Sequence, residues 1–164
     1  MLYFEDLAVG DSARSAETFE VQRDEVVDFA RRWDPQAFHV DERAAEQSIF
    51  GGLTACAAHI FAIQCRLAVS VEPRWALLAG LGNDGFELSQ PVRPGDRLQL
   101  VRRVTGKRAS RSKPDRGIVL VEHDVVDQRD LVVFRARGRV MIARRPAGTP
   151  EPTVQRRTTR RLGK

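Results

Sequence analysis

Gly51-Gly52-Leu53-Thr54-Ala55-Cys56-Ala57-Ala58-His59-Ile60-Phe61-Ala62-Ile63-Gln64-Cys65-Arg66-Leu67-Ala68-Val69-Ser70-Val71 is the stretch on which the fold of this 164-residue chain turns. From Leu53 onward only Thr54, His59, Gln64, Arg66 and Ser70 interrupt an apolar run. A helix of that composition has to be covered on most sides, so the run predicts a buried central helix from Leu53 to about Val71. It is too short and too interrupted to match the ~20 apolar residues of a membrane span. After Pro73 the pattern changes to period two, with β runs near Trp75 to Leu81, Gly85 to Ser89, Arg97 to Thr105, Ile118 to Val126 and Leu131 to Ile142. The last is the clearest: Val132, Phe134, Ala136, Gly138, Val140 and Ile142 share one face, and Arg135, Arg137 and Arg139 the other. Pro94-Gly95-Asp96 and Gln128-Arg129-Asp130 are turns between strands. One buried helix followed by several largely antiparallel strands predicts an α+β fold in which a curved sheet wraps the helix.

On the N-terminal side, Ala13 to Val21 reads as a strand. Val26, Phe29, Ala30 and Trp33 then recur at i, i+3, i+4 and i+7, the stripe of an amphipathic helix. Pro35 disfavours helical geometry at the residue before it, so this helix stops at Trp33 or Asp34. An irregular segment to Val40 and a short polar helix around Glu42 to Gln47 follow, until Gly51-Gly52 breaks the chain again.

The formal net charge of +5 suggests nucleic acid until it is located. Residues 1–143 carry a net −1, whereas residues 144–164 carry seven Lys and Arg against the single Glu151, a net +6. The basic character therefore belongs to the end of the chain. The reading is one domain over residues 1–145 and a Pro-containing, apolar-poor tail over 146–164 that cannot repay the entropy of ordering. The tail reads as an incidental extension in preference to a nucleic-acid contact. Met1 to Asp6 lacks the basic start and apolar stretch of a signal peptide, which leaves a cytoplasmic location and no membrane partner as the expectation. Cys56 and Cys65 lie about 13.5 Å apart along a helix, beyond disulfide reach. Two cysteines and three scattered histidines also lack structural zinc spacing, so no metal is expected.

Chemistry concentrates where the first helix breaks. Asp34 and His39 are five residues apart, about 140° around a continuous helix and facing different ways. The proline bend removes that obstacle and lets a carboxylate and an imidazole turn toward one cavity as an acid/base pair. A helix-ending Asp and a structural loop His is the competing reading. Phe50-Gly51-Gly52-Leu53-Thr54 leads into the central helix, whose free N–H groups suit developing negative charge on oxygen; a tight turn without a ligand reads the same residues equally well. Cys56 reads as a small core residue in preference to a nucleophile, His59 as a satisfied core or interface histidine, and His123 as exposed or cross-strand paired. The basic loop Lys107 to Arg116 reads as a solvated charge run, with contact to coenzyme A phosphates as the alternative.

The order of Asp34-Pro35-Gln36-Ala37-Phe38-His39-Val40-Asp41, Phe50-Gly51-Gly52-Leu53, the buried helix, Pro91-Val92-Arg93-Pro94-Gly95-Asp96 and paired strands resembles the MaoC-like acyl dehydratases, or (R)-specific enoyl-CoA hydratases, of the hot-dog fold. The resemblance spans nearly all of residues 3 to 143, Ser110 to Gly117 included. It implies reversible syn addition of water to a trans-2-enoyl thioester of coenzyme A or an acyl carrier, giving an (R)-3-hydroxyacyl thioester, in fatty-acyl metabolism. Asp34 and His39 then match the catalytic pair, and a backbone N–H near the start of the central helix holds the thioester oxygen. Ala57 occupies the place of the family's usual glycine, Gly52 and Cys56 flank that entrance, and Cys65 stands where some hydratases have a serine. The family further implies a homodimer and no metal or redox cofactor. Two other readings remain: a hot-dog thioesterase, for which the helix offers no hydrolytic carboxylate, and a non-catalytic acyl-thioester-binding subunit.

Overall fold

The computed structural model describes residues 1–150. A single 3-10 turn, Phe4–Asp6, precedes β1 (Ser12–Arg14), β2 (Phe19–Glu20), α1 (Arg23–Trp33), α2 (Ala37–Val40), α3 (Glu42–Glu46), α4 (Ala57–Ala68), β3 (Leu77–Leu88), β4 (Arg97–Ala109), β5 (Arg116–Val126) and β6 (Val132–Ala143). The strands form one antiparallel sheet in the order β1-β4-β5-β6-β3, with β2 also paired to β4. The expected α+β arrangement of a curved antiparallel sheet around a helix is what the chain forms, and it is the hot-dog fold.

Side-chain alternation decides which face of the sheet is dry. β4 buries Leu98, Leu100, Arg102 and Val104, and β6 buries Phe134, Ala136, Gly138 and Ile142. Against this face α4 packs Ile60, Ile63 and Leu67, together with Val26 of α1. Each such side chain contributes about 1.5–3 kcal/mol by leaving water. On the opposite face the arginines of β6 neutralise neighbouring strands: Arg135 Nε lies 2.5 Å from Asp124, Arg137 Nη1 2.6 Å from Glu87 and Arg139 Nη2 3.0 Å from Asp84.

Several elements differ from the sequence expectation. The central helix has twelve residues and starts at Ala57 instead of Leu53, because the Ala55 N–H is taken by the Val92 carbonyl at 2.8 Å and Cys56 is held extended. Nor is α4 covered on most sides: Ala57, Ala58, Ala62, Cys65 and Arg66 are exposed, since the sheet reaches only one flank. The two β runs between Trp75 and Ser89 merge into one edge strand, β3, whose pairing with β6 shifts register between Leu77 and Ala79, between Gly80 and Gly82 and between Asn83 and Gly85. All twelve of its residues are exposed. The first strand splits in two around Ser15, whose hydroxyl donates to the Glu17 carbonyl and accepts from the Leu100 N–H. Trp33 is 63% exposed, and Val27 takes the buried position at the flank of the α1 stripe. The segment before Val40 is not irregular but one helical turn, α2.

At the end of the domain, Arg144 Nε is 2.6 Å from Glu5 and the Arg145 guanidinium engages Asp6, so two of the cations assigned to the basic end belong to the folded body. The Thr149 N–H bonds to the Pro146 carbonyl. The rest of the predicted tail, 151–164, lies outside the described residues. No helix among the described residues is long and apolar enough to cross a membrane.

Candidate active site

The proline bend does bring the acid and the base together. α1 closes with the Asp34 N–H on the Ala30 carbonyl, and the Gln36 N–H turns back to the Asp34 carbonyl at 2.8 Å. α2 then points the His39 ring inward, where it is 7% exposed. His39 Nε2 faces Asp34 Oδ2 at 3.8 Å, while the Asp34 side chain keeps 37% exposure and hence access from solvent. Nδ1 lies 2.6 Å from the Thr54 carbonyl. A carbonyl only accepts, so Nδ1 carries the proton and, in the unprotonated ring, Nε2 offers its lone pair toward Asp34. Phe38 meets the imidazole edge-on at 4.4 Å and Phe50 packs on Phe38 at 5.1 Å, walling the pair with apolar rings.

Gly51 and Gly52 adopt φ of +61° and +153°, so they form a turn that suits glycine. The Gly52 N–H is bonded to the Ala45 carbonyl at 3.0 Å and does not offer a free donor. The entrance motif and the helix start, read together in the sequence, are therefore separate: the chain from Leu53 to Cys56 divides Gly52 from Ala57. At the true helix start, Cys56 is fully buried. Burial above all pushes its thiol pKa up, opposed by the His59 and Ala58 amides that face the sulfur, and the charge of Asp34 adds to the rise. A high thiol pKa fits the core reading of Cys56 and not a nucleophile. The contact of His39 Nδ1 with the Thr54 carbonyl ties the pair to the chain three residues before Ala57. As the first helical residue, Ala57 has an N–H with no intrahelical acceptor, and that N–H meets no other acceptor among the described residues. Ala57 itself is exposed.

Cys65 lies two turns further along α4 on the open flank, away from the pair, and both cysteines are free thiols as the spacing required. His59 is buried as expected but is not satisfied: its ring stacks on Phe29 at 4.6 Å, neither nitrogen has a hydrogen-bond partner, and Nε2 stands 3.5 Å from the Glu25 carboxylate. Burial lowers its pKa against the pull of Glu25. Two contributors escaped the sequence reading. Thr54 supplies the carbonyl that fixes the His39 tautomer, a backbone role with no side-chain signature. Arg93, in the Pro-Val-Arg-Pro-Gly-Asp segment, donates to the Phe50 carbonyl and ties the site loop to the sheet; its place inside a proline-bounded turn was the available signal.

Comparison with known proteins agrees with this geometry. The family model described as "MaoC like domain" matches residues 6–127. The uncharacterized protein YdeM of Bacillus subtilis (strain 168) is 30% identical over 129 residues, covering 77% of this chain and 89% of that protein. Among solved structures, the MaoC-like dehydratase from Rhodospirillum rubrum is 42% identical with a TM-score of 0.83, covering 89% of this chain and 99% of its own. The (R)-hydratase from A. caviae involved in PHA biosynthesis shares the fold at 22% identity and a TM-score of 0.66, over 83% of this chain and 97% of its own. Helix, sheet, loop pair and matched length together place the chain in the family of MaoC-like domains.

Proposed function

We propose that the protein is a hydro-lyase that adds water reversibly to trans-2-enoyl thioesters, with Asp34 and His39 as the acid/base pair and the Ala57 N–H as the oxyanion donor. The observation that carries this reading is the 3.8 Å approach of Asp34 Oδ2 to His39 Nε2 beside the unpaired start of α4. Two acceptors at that spacing suit a single bridging water that donates one hydrogen to each. In the forward direction the water oxygen bonds to C3 while the pair removes one of its protons. The electron pair of the C2–C3 double bond moves toward the thioester carbonyl, whose oxygen becomes negative and is held by the Ala57 N–H. Collapse of that enolate takes a proton from the pair at C2, so one water is consumed and the pair is restored. No electron leaves the substrate, and the step as written needs neither a redox group nor a metal. The same chemistry serves a thioester carried on coenzyme A or on an acyl carrier.

The test follows loss of the conjugated enoyl-thioester absorbance. Wild-type protein bleaches it, and Asp34→Asn and His39→Ala each lower kcat/KM by about 10²–10⁴-fold with unchanged circular dichroism. Release of free thiol instead would establish a thioesterase, although α4 carries no Asp or Glu. Binding of enoyl thioester without turnover would establish the non-catalytic subunit; either result overturns the hydro-lyase. We further propose that two copies pair through the β3 edge, because Leu77, Leu78, Leu81, Phe86 and Leu88 are all at least 42% exposed on it. An unpaired edge of that length and apolarity calls for cover.

A further inference from the structure

A second polar site lies at the other end of α4. A cavity of about 220 Å³ opens between the last turn of α4, the start of β3 and the inward face of β4 and β5. Its walls include Val71, Leu77, Val121 and Val140 together with Arg74, which is paired to Glu72, and two inward positions of the sheet are not apolar. Arg102 follows Leu98 and Leu100 in the buried row of β4, and His123 stands directly across from it on β5. Arg102 is only 8% exposed. Its guanidinium stacks over Trp75 at 3.8 Å and one terminal nitrogen reaches the Pro73 carbonyl at a long 3.4 Å. No carboxylate of the described residues comes within ion-pair distance of it, and the neighbouring Glu72 is already bonded by Arg74. On the other strand, Gln64 Nε2 sits 3.0 Å from His123 Nδ1. An amide nitrogen donates, so Nδ1 accepts and the hydrogen of the ring is on Nε2, which is buried with no partner.

Buried charges are ordinarily paired and buried donors ordinarily satisfied, because each one left alone costs free energy. Here a guanidinium fork and an imidazole N–H, side by side on one face of the sheet, line one cavity and share the same deficit: an acceptor with negative charge. We infer that this cavity binds the carboxylate of a short aliphatic chain, its oxygens on the Arg102 guanidinium and its methylenes along Val71, Leu77, Val121 and Val140. A carboxylate matches the planar fork of arginine, and the valine and leucine walls suit the aliphatic chain behind it. The eleven rises from Ala57 to Ala68 put the cavity end of α4 about 16.5 Å from Ala57, so a short ligand here does not reach the start of that helix. The carboxylate has two sources, a free short-chain acid or the far end of a long acyl chain whose thioester lies at Ala57; the second rests on the hydro-lyase reading and the first does not.

Calorimetric titration of the full-length protein with hexanoate, and with hexanamide as the uncharged control, tests the binding without reference to turnover. Saturable one-site binding of hexanoate, absence of hexanamide binding, and a rise of about tenfold or more in Kd in Arg102→Met are the expected results. An arginine kept only for structure is replaced by Met with little loss or some gain of stability, so a folded variant is expected. Arg102→Lys, which keeps the charge and loses the fork, provides the second measurement, with intermediate affinity. No hexanoate binding to wild type, or wild-type affinity in Arg102→Met, overturns the inference. The source is read from the hydration assay: if hexanoate competes only with long-chain enoyl thioesters bearing a terminal carboxylate, the site anchors substrate; if it leaves both kinds of thioester unaffected while binding, it takes a free acid. Failure of the hydro-lyase reading leaves the titration intact, so the two fail separately.

Discussion

Acidification from pH 7 to pH 5 should cost this protein stability through one imidazole. His123 has its pKa pushed down from 6.5 to about 4, first by burial and then by the adjacent Arg102 cation, with Asp124 opposing. Because the folded value lies below the unfolded one, the unfolded chain binds more protons between pH 6.5 and 4, and stability falls as pH falls through that window. At pH 7 the loss is a few tenths of a kcal/mol at most; at pH 5 the two pKa values give about 2 kcal/mol, approaching roughly 3 kcal/mol below pH 4. For a chain of this size a loss of about 2 kcal/mol corresponds to about 4–8 °C in Tm. The assay is urea unfolding at both pH values, at one fixed protein concentration, on wild type and on His123→Gln, which leaves an acceptor for Gln64. His59, also lowered by burial, acts in the same direction in both proteins and cancels in the comparison. Wild type should lose about 2 kcal/mol more than the variant between pH 7 and 5. Equal losses would refute the argument, since the burial and the neighbouring cation would then have no energetic consequence.

Ala57→Pro separates the oxyanion donor from the helix: proline is well tolerated at the first helical position and Cys56, at φ −74° and ψ 157°, already has the extended geometry that a following proline requires. Hydration kcat should fall by about 10²–10³-fold with thermal stability nearly unchanged, read by the enoyl absorbance assay and a melting curve. Gly117→Ala puts a Cβ 2.3 Å from the Phe4 ring, which Lys107 holds in place from above at 4.4 Å. It should destabilise by about 1–3 kcal/mol, and Phe4→Ala in the same chain should recover part of that loss in a denaturant double-mutant cycle. Leu81→Lys places a charge in the middle of the exposed β3 edge and should convert the proposed dimer to a monomer in light scattering; a dimeric mass in the variant would remove β3 from the interface.

Much of this was legible in the chain. The wet and dry faces of β6 and the proline stop after Trp33 follow from local periodicity and from what proline forbids, effects that act within a few residues, and the same bend marked Asp34 and His39 as a candidate pair. The start of α4 was not legible, because Ala55 and Cys56 continue an apolar run that reads as helix locally and only the distant Val92 carbonyl holds them extended. The edge strand β3 was read as two runs because three glycines interrupt the alternation, while pairing with β6 carries the strand through them by bulges.

Sequence alone determined the class of fold and, through residue chemistry at the proline bend, a candidate pair, since these depend on hydrophobic period and on local chemistry. Tertiary structure alone decided which amide stays unpaired, that Thr54 sets the His39 tautomer, and that Arg102 meets His123 across two strands. Those facts depend on partners far along the chain, and a hydrogen bond or a buried charge acquires its energy only when the distant partner arrives or fails to arrive.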